Sequence, residues 1–297
     1  MSVEVAPPSV RETVRAYVGL TKPRIIELLL VTTLPTMVVA QRGIPDLWLV
    51  MATLIGGTLA AGGANTINSW ADRDIDEQMH RTSHRPLPRH AVSPANALRF
   101  GILLGALAFV WLALAVNLLS ALLATAALLF YVFVYTLGLK RRTVQNIVIG
   151  GAAGCVPVLV GWSAVTGEVG LPALVLFAIV FAWTPPHFWA LAMKYSDDYA
   201  RAGVPMLPVV AGPKETARQI LLYTILLVSV TLLFGPVGGM GPLYLMAALV
   251  LGGIFICYAV RLLRHQTERL AMRTFRYSIT YLGLLFTAMA ADAIIIG

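Results

Sequence analysis

Residues 47–87 read LWLVMATLIGGTLAAGGANTINSWADRDIDEQMHRTSHRPL. The first half is a long apolar run and the second half is crowded with charge. About 20 apolar residues suffice for an α-helix to cross a bilayer. The reading is a membrane-crossing helix that ends in a charged segment outside the hydrocarbon. Within that segment Asn68, Asp72 and Asp76 recur four residues apart. On an α-helix each such step advances about 400° and rises about 6 Å, so the three oxygen-bearing side chains form a stripe on one face. Asp74 points away from the stripe, and Ala71, Ile75 and Met79 give the helix apolar surface to pack.

The rest of the chain is built on the same plan. Its 297 residues are 58% hydrophobic and 12% charged, with a mean hydropathy of +0.79. A soluble domain carries about twice that share of charge. A polytopic, all-α membrane protein is expected and a soluble enzyme is excluded. Nine apolar stretches are placed near 24–41, 47–67, 97–116, 119–138, 146–166, 171–193, 219–236, 242–262 and 278–296. Pro35, Pro157 and Pro185-Pro186 fall inside three of them and should kink or break those helices. A bundle of nine transmembrane helices is therefore expected. Residues 1–23 form a cytoplasmic N-terminal segment, with an amphipathic surface helix over Val10–Leu20, and 24–297 a single transmembrane domain. No cleavable signal peptide is visible. Cys155 and Cys257 lie inside spans and read as packing residues.

Charge fixes the expected orientation. Of the 22 Lys and Arg, all but Arg42 fall on one side of this nine-span arrangement. The positive-inside rule puts that side, and the N-terminus, in the cytoplasm and the C-terminus outside. The net charge of +8 would suggest a nucleic-acid partner in a soluble protein; here the cytoplasmic loops explain it, and no nucleic acid is expected. The acids follow the same asymmetry. They concentrate in the loops after spans 2 and 6, which hints at two four-helix halves plus one helix.

Clustered carboxylates repel one another, and a divalent cation removes that cost. Mg²⁺ takes hard oxygen ligands, commonly one or two carboxylates plus substrate phosphates. Arg73, Arg81 and Arg85 lie near the stripe, and guanidinium forks match phosphate oxygens. A magnesium–diphosphate site fits this set. So does a solvated loop whose acids pair with its arginines. The second acidic stretch, Thr184–Pro208, ends a helix at Asp197 and Asp198, with Lys194 and Arg201 beside them and Tyr195 and Tyr199 flanking. It offers a second metal or diphosphate contact, or a helix end at the membrane interface. His187, beside Phe188 and Trp189, sits in an apolar span and faces a cavity or a packed interior. Lys140-Arg141-Arg142 and Lys22-Pro-Arg24 are basic clamps or topology signals. Glu27 and Asp292 are acids within spans, and Asp292 lies where water could solvate it.

The wording around these residues carries a resemblance. Asn68-x3-Asp72-x3-Asp76 resembles the first aspartate-rich motif of the UbiA-type intramembrane prenyltransferases. The blocks NSWADRDIDEQMHRTSHRPLP, YTLGLKRRTVQNIVIGGAAGCVPVLVGW and WTPPHFWALAMKYSDDYARAGVPMLPVV look like the branch of that family that farnesylates protohaem IX. The resemblance implies Mg²⁺-dependent transfer of farnesyl from farnesyl diphosphate to the 2-vinyl group of haem B, with uptake of water, giving haem O. It implies an all-α bundle of nine spans around a central cavity, the lipid bilayer of a bacterial inner membrane as the setting and a haem A synthase as a partner. Asn68, Asp72 and Asp76 would hold the metal, with Asp197 and Asp198 as the second acidic site. Arg73, Arg81, Lys140, Arg141, Lys194 and Arg201 would contact diphosphate, and Asp72, Asp76, Lys140, Lys194 and Asp198 would carry the catalysis. His187 and Trp189 are the candidates for haem. One departure is visible: the wider family often has a second aspartate four residues on, where this chain has Arg201 and Ala202. Other aromatic acceptors, and a cation-coupled transporter, are the rival readings.

Overall fold

The computed structural model describes residues 9–296, except the side chains at 24, 25 and 27–30. Glu27 and Arg24 therefore lie outside the described side chains. The described residues form helices and no strand. In chain order these are α1 (Val10–Thr21), α2 (Pro23–Gln41), α3 (Leu47–Ala71), α4 (Arg73–Gln78) and α5 (Pro94–Ala115). Next come α6 (Leu118–Leu129), continued by a π-helix at Phe130–Leu139, then α7 (Asn146–Gly150), α8 (Ala152–Thr166) and α9 (Leu171–Lys194). The last are α10 (Ser196–Arg201), α11 (Leu207–Val210), α12 (Gly212–Val237), α13 (Pro242–His265) and α14 (Glu268–Ile296).

Eight helical stretches among the described residues are long and apolar enough to cross a membrane, not the nine expected. The first expected span falls on α2, a 19-residue helix packed among the others but not one of the eight. The outer surface agrees with a lipid solvent. Ile102, Leu114, Leu122, Phe133, Met246 and Leu249 are all exposed, an apolar covering that water would not tolerate. The protein is a multi-pass membrane protein.

Loops alternate between two ends of the bundle. The segments after α3, the π-helix and α9 lie at one end, which carries most of the acids and most of the basic residues. The turns at 42–46, 167–170 and 238–241 lie at the other. Neighbours in the bundle include α3 with α5, α6 with α8, α2 with α8, α9 with α12, and α14 with α2, α9 and α13. α8 packs on α2 and α6 as well as on α9, so the two expected four-helix halves would meet along it. The closest approach is glycine-made: a Cβ on Gly63 of α3 would stand 2.8 Å from the Gly101 carbonyl of α5. Small residues allow this contact where no hydrophobic effect drives helices together.

The internal prolines do not break their helices. α2, α8 and α9 run through Pro35, Pro157 and Pro185-Pro186. Beside the proline pair, the Thr184 hydroxyl donates to the Val180 carbonyl at 2.8 Å, satisfying backbone oxygen locally. α1 forms as expected. Ser9 and Glu12 make a reciprocal capping box at its start. Ala16 and Leu20 pack on Leu87, Val92 and Ala97, while Val10, Val14 and Val18 stay exposed. Asp292 is not solvated. It is buried, and its carboxylate accepts the backbone N–H groups of Gly241 at 2.5 Å and Tyr244 at 3.1 Å, closing the N-terminus of α13. Cys155 is buried, and Cys257 lies exposed on α13.

Candidate active site

The site begins where α3 stops. Asp72 is the cap between α3 and α4. Its N–H still bonds the Asn68 carbonyl at 2.9 Å, and the Asp76 N–H bonds the Asp72 carbonyl at 2.8 Å. The helical path therefore survives the break, and Asn68, Asp72 and Asp76 keep their common face. All three are buried, while Asp74 is exposed. Burial of two carboxylates demands partners. Lys140 forms an ion pair with Asp72 Oδ2, which also accepts from Asn68 Nδ2 at 2.7 Å. Arg85 grips both oxygens of Asp76, at 2.7 and 2.9 Å. Asn68 Nδ2 also donates to Thr136 Oγ1 at 3.1 Å, and Lys22 Nζ donates to Asn68 Oδ1 at 2.6 Å. Arg141 makes a two-pronged pair with Asp74, at 2.6 Å each, and stands 3.8 Å from Asp72 Oδ1.

Two features prepare this cluster for an anion. Among the described residues Lys22 forms an ion pair with no carboxylate. Its burial, with Arg85 nearby, pulls its pKa down to about 7. Burial also acts to lower the Lys140 pKa, but Asp72 beside it outweighs this and the net shift is upward, so that ammonium stays charged. The Arg141 hydrogen bonds hold the Asp74 carboxyl below its usual range. Lys140 and Arg85, with Lys22 about half protonated near pH 7, thus face two buried carboxylates. The second feature is an open valence: Asp72 Oδ1 is buried without a hydrogen bond.

The second acidic site is tied to the first through the loop between them. Asp198 Oδ2 accepts the Arg81 N–H at 3.1 Å, and Oδ1 accepts from Arg201 at 3.1 Å. Burial alone would raise the Asp198 pKa, but the N–H groups of Arg81 and His80 keep it low. The Arg81 side chain lies over the rings of Tyr195 and Tyr199, at 5.5 and 6.0 Å, with its Nε buried and unbonded. Asp198 holds the loop that presents Arg81. No three His, Cys, Asp or Glu side chains among the described residues converge as a metal cage.

Below this cluster lies a cavity of about 270 Å³. Asn65, Tyr131 and Tyr135 line it, and farther along so do Thr53, Val160 and Phe188. Its walls are mostly apolar, as a site for a hydrocarbon chain requires.

The UbiA prenyltransferase family model matches residues 29–286. The chain belongs to the UbiA prenyltransferase family. A protein of Frankia alni named protoheme IX farnesyltransferase is 57% identical over 285 residues, covering 95% of this chain and 99% of its own length. A protein of the same name from Nocardioides is 56% identical over 97% of this chain and 94% of its own length. Among solved structures, a digeranylgeranylglyceryl phosphate synthase superposes with a TM-score of 0.78 at 19% identity, covering 96% of this chain and 99% of the other. A UbiA homologue from Archaeoglobus fulgidus, bound to DMAPP and Mg²⁺, gives 0.64 at 19% identity, covering 92% and 99%. The two structures support the fold.

Within this UbiA-family enzyme the expected residues divide. Asn68, Asp72, Asp76, Lys140, Arg141, Arg81, Asp198 and Arg201 come together. Arg73 does not: it is exposed, donates to the Trp70 carbonyl at 2.7 Å and lies over the Trp70 ring. Asp197 and Lys194 are exposed, and Lys194 rests by Tyr195 at 5.5 Å. The helix turn that buries Asp198 points its neighbour Asp197 outward. Trp189 is buried against Tyr223, in a cluster with Met193 and Ile147, and does not line the cavity. His187 bonds Ser278 Oγ through Nδ1 at 2.7 Å and is stacked between Trp183 and Phe275. It stands behind the cavity wall formed by Trp183, Thr184 and Phe188. Arg85, one of the arginines expected near the stripe, and Lys22, of the basic clamp at 22–24, take their places in it, and Thr136, Tyr131 and Tyr135 join the site without having been assigned to it. The one sequence signal for the tyrosines is their four-residue spacing just before Lys140.

Proposed function

We propose that the enzyme transfers the farnesyl group of farnesyl diphosphate to the 2-vinyl group of protohaem IX, with addition of water, giving haem O and diphosphate. The observation that carries this reading is a cation-rich cluster, with a buried Asp72 oxygen left without a hydrogen bond, at the ends of helices whose next residues, Asn65, Tyr131 and Tyr135, line an apolar cavity. The names of the relatives, over nearly the whole chain, support the protohaem acceptor. The family's solved homologue with Mg²⁺ supports a metal here, and the donor set fits. Mg²⁺ is content with one or two carboxylates completed by phosphate oxygens, so a site without a three-acid cage suits it. Asp72, Asn68 and Asp76 would hold it, and when bound it would stabilise negative charge on the departing diphosphate.

The chain's own residues do the rest. Lys22, Lys140, Arg85 and Arg81 take up diphosphate charge in a site with little water, where each contact is strengthened. Asp198 and Arg201 fix the loop that carries Arg81. The cavity holds the isoprenoid tail and keeps water from the reactive end. We place the charged end in the cytoplasm of a bacterium, at its inner membrane, because the basic residues lie there. The product would pass to an enzyme that oxidises haem side chains, such as a haem A synthase.

The test is an assay of purified protein with farnesyl diphosphate, haem B and Mg²⁺, beside Asp72→Ala, followed by mass spectrometry of the haem. A gain of farnesyl plus water, lost in the variant and on chelation of the metal, is expected. Diphosphate release with unmodified haem would remove protohaem as the acceptor.

A further inference from the structure

The hairpin of α13 and α14 carries an excess of positive charge that nothing in the chain answers. Arg261 and Arg264 on α13, and Arg269, Arg273 and Arg276 on α14, are all exposed. Among the described residues none of the five guanidinium groups makes an ion pair or a hydrogen bond. The single acid in this stretch, Glu268, is exposed as well. Arg269, Arg273 and Arg276 follow one another at helical neighbour spacing, where like charges repel. The hairpin is pinned beside them. Tyr258 of α13 and Tyr277 of α14 stack, with centroids 5.0 Å apart and planes 27° apart. The Tyr277 hydroxyl donates to the Leu251 carbonyl at 2.8 Å. Arg261 stands three residues after Tyr258, and Arg273 four residues before Tyr277. Helical register therefore sets both arginines one turn beyond the stack, toward the charged end of the bundle.

A groove of about 460 Å³ runs along α13 to the same point. Leu249, Gly253, Ile254 and Cys257 line it, with Tyr258 and Arg261 at its charged end. A Cβ on Gly253 would meet nothing within 4 Å, so the missing side chain leaves the groove open there. From Arg261 to Leu249 the helix rises about 18 Å. One leaflet supplies about 15 Å of hydrocarbon, so the groove has the length of one acyl chain. Topology alone accounts for arginines in this loop, but not for an apolar groove that leads to one of them. Guanidinium forks match phosphate oxygens, and basic pockets at the ends of membrane helices take anionic headgroups. We propose that the α13–α14 hairpin binds an anionic phospholipid, its phosphate between Arg261 and Arg273 and one acyl chain in the groove beside Gly253. None of these residues lines the cavity below the acidic cluster, so the lipid site is separate from the prenyl site. The other face of α14 carries Phe275 and Ser278, which hold His187. A lipid on the outer face would thus brace a helix that also supports the interior.

The full-length protein, purified in detergent and stripped of lipid, tests this. Native mass spectrometry and thermal melting are run with added phosphatidylglycerol or with phosphatidylcholine of the same chains. Phosphatidylglycerol should bind about tenfold more tightly and raise the melting temperature further. Arg261→Gln with Arg273→Gln should weaken its binding about 30-fold, equivalent to about 2 kcal/mol. Gly253→Leu fills the groove without changing the charge, and should weaken binding about tenfold. Arg264→Gln with Arg269→Gln removes as much charge from the same hairpin, and should stay within about threefold because screening weakens charges away from the phosphate. Equal losses from the two arginine pairs would mean a diffuse basic surface and would overturn the proposal. Equal binding of the two lipids, or no effect of Gly253→Leu, would do the same. Glycerol phosphate, which has the head without the chains, should not protect at the same concentration; equal protection by it would leave an anion site and remove the lipid. The comparison of the two lipids on the parent protein decides the matter even where an arginine variant fails to fold.

Discussion

Each end of the bundle buries an aspartate in a helix-rich, low-dielectric setting, and the two are used in opposite ways. Asp292, at the far end, accepts two backbone N–H groups at the start of α13, one on each oxygen. Nearby, the Arg42 side chain donates to the carbonyls of Gly238 and Gly239, at the end of α12. These contacts are complete, and they join the ends of helices. Asp72, at the charged end, is equally buried, yet its partners are side chains on other helices and one oxygen is left without a hydrogen bond. A carboxylate that finishes a helix needs nothing more. A carboxylate paired with Lys140 on one oxygen, with the other buried, 3.8 Å from Arg141 and without a hydrogen bond, keeps an unused capacity to accept a ligand.

The sharpest break in this comparison is Asp72→Ala against Asp292→Ala. Asp72→Ala should lower kcat by about 10²–10³, the usual cost of losing one charge-stabilising group, with little change in melting temperature. Asp292→Ala should do the reverse. It strands two buried N–H groups and removes a helix cap, at about 2 kcal/mol, while turnover per folded molecule stays within about twofold. The pair is measured by detergent-phase thermal melting and by product formation per active site. A melting loss at Asp72 as large as that at Asp292 would erase the distinction.

Next in size are two basic residues of the cluster, Lys22 and Arg85. Lys22→Met removes a donor to Asn68 and a positive charge from the mouth of the cavity. Binding of farnesyl diphosphate should weaken about tenfold, as expected for one charged hydrogen bond of about 1.5 kcal/mol. Equilibrium binding of a farnesyl thiolodiphosphate, which does not ionise, measures it. Arg85→Met should show a mixed effect, because it also leaves the buried Asp76 unpaired. A purely kinetic effect of Arg85→Met, with no loss of stability, would place Asp76 outside the ion pair in the working enzyme.

What could be read from the sequence follows the range of the forces involved. The eight long helices were legible because hydropathy is a property of a continuous stretch. The Asn68–Asp72–Asp76 face was legible because helical register is local, and it survived the cap at Asp72. Lys22 was not: its place at Asn68 arises from the packing of α2 beside α3, across 46 positions. Tyr131 and Tyr135 were hidden by the π-helix, whose turn no residue pattern here announces. Asp292 was misjudged as solvated because its partners are backbone N–H groups of another helix, which carry no side-chain signal.

The smallest expected effects test the same lesson from the other side. Arg73, Lys194 and Asp197 stand next in sequence to Asp72, Tyr195 and Asp198, and by sequence alone they belong to the site. In the fold each is exposed, and Arg73 turns back on Trp70. Exposed charges contribute at most about 1 kcal/mol to their surroundings. Arg73→Ala, Lys194→Ala and Asp197→Asn should therefore change kcat/KM by less than about threefold at physiological salt, where screening is effective beyond about 8 Å. Lys194 gives the clearest reading, because it sits at the end of α9 beside the loop that Asp198 holds. If Lys194→Ala costs tenfold or more in diphosphate binding, the ammonium must swing from Tyr195 to the ligand. The charged end would then be a surface that closes on its substrate rather than one already formed.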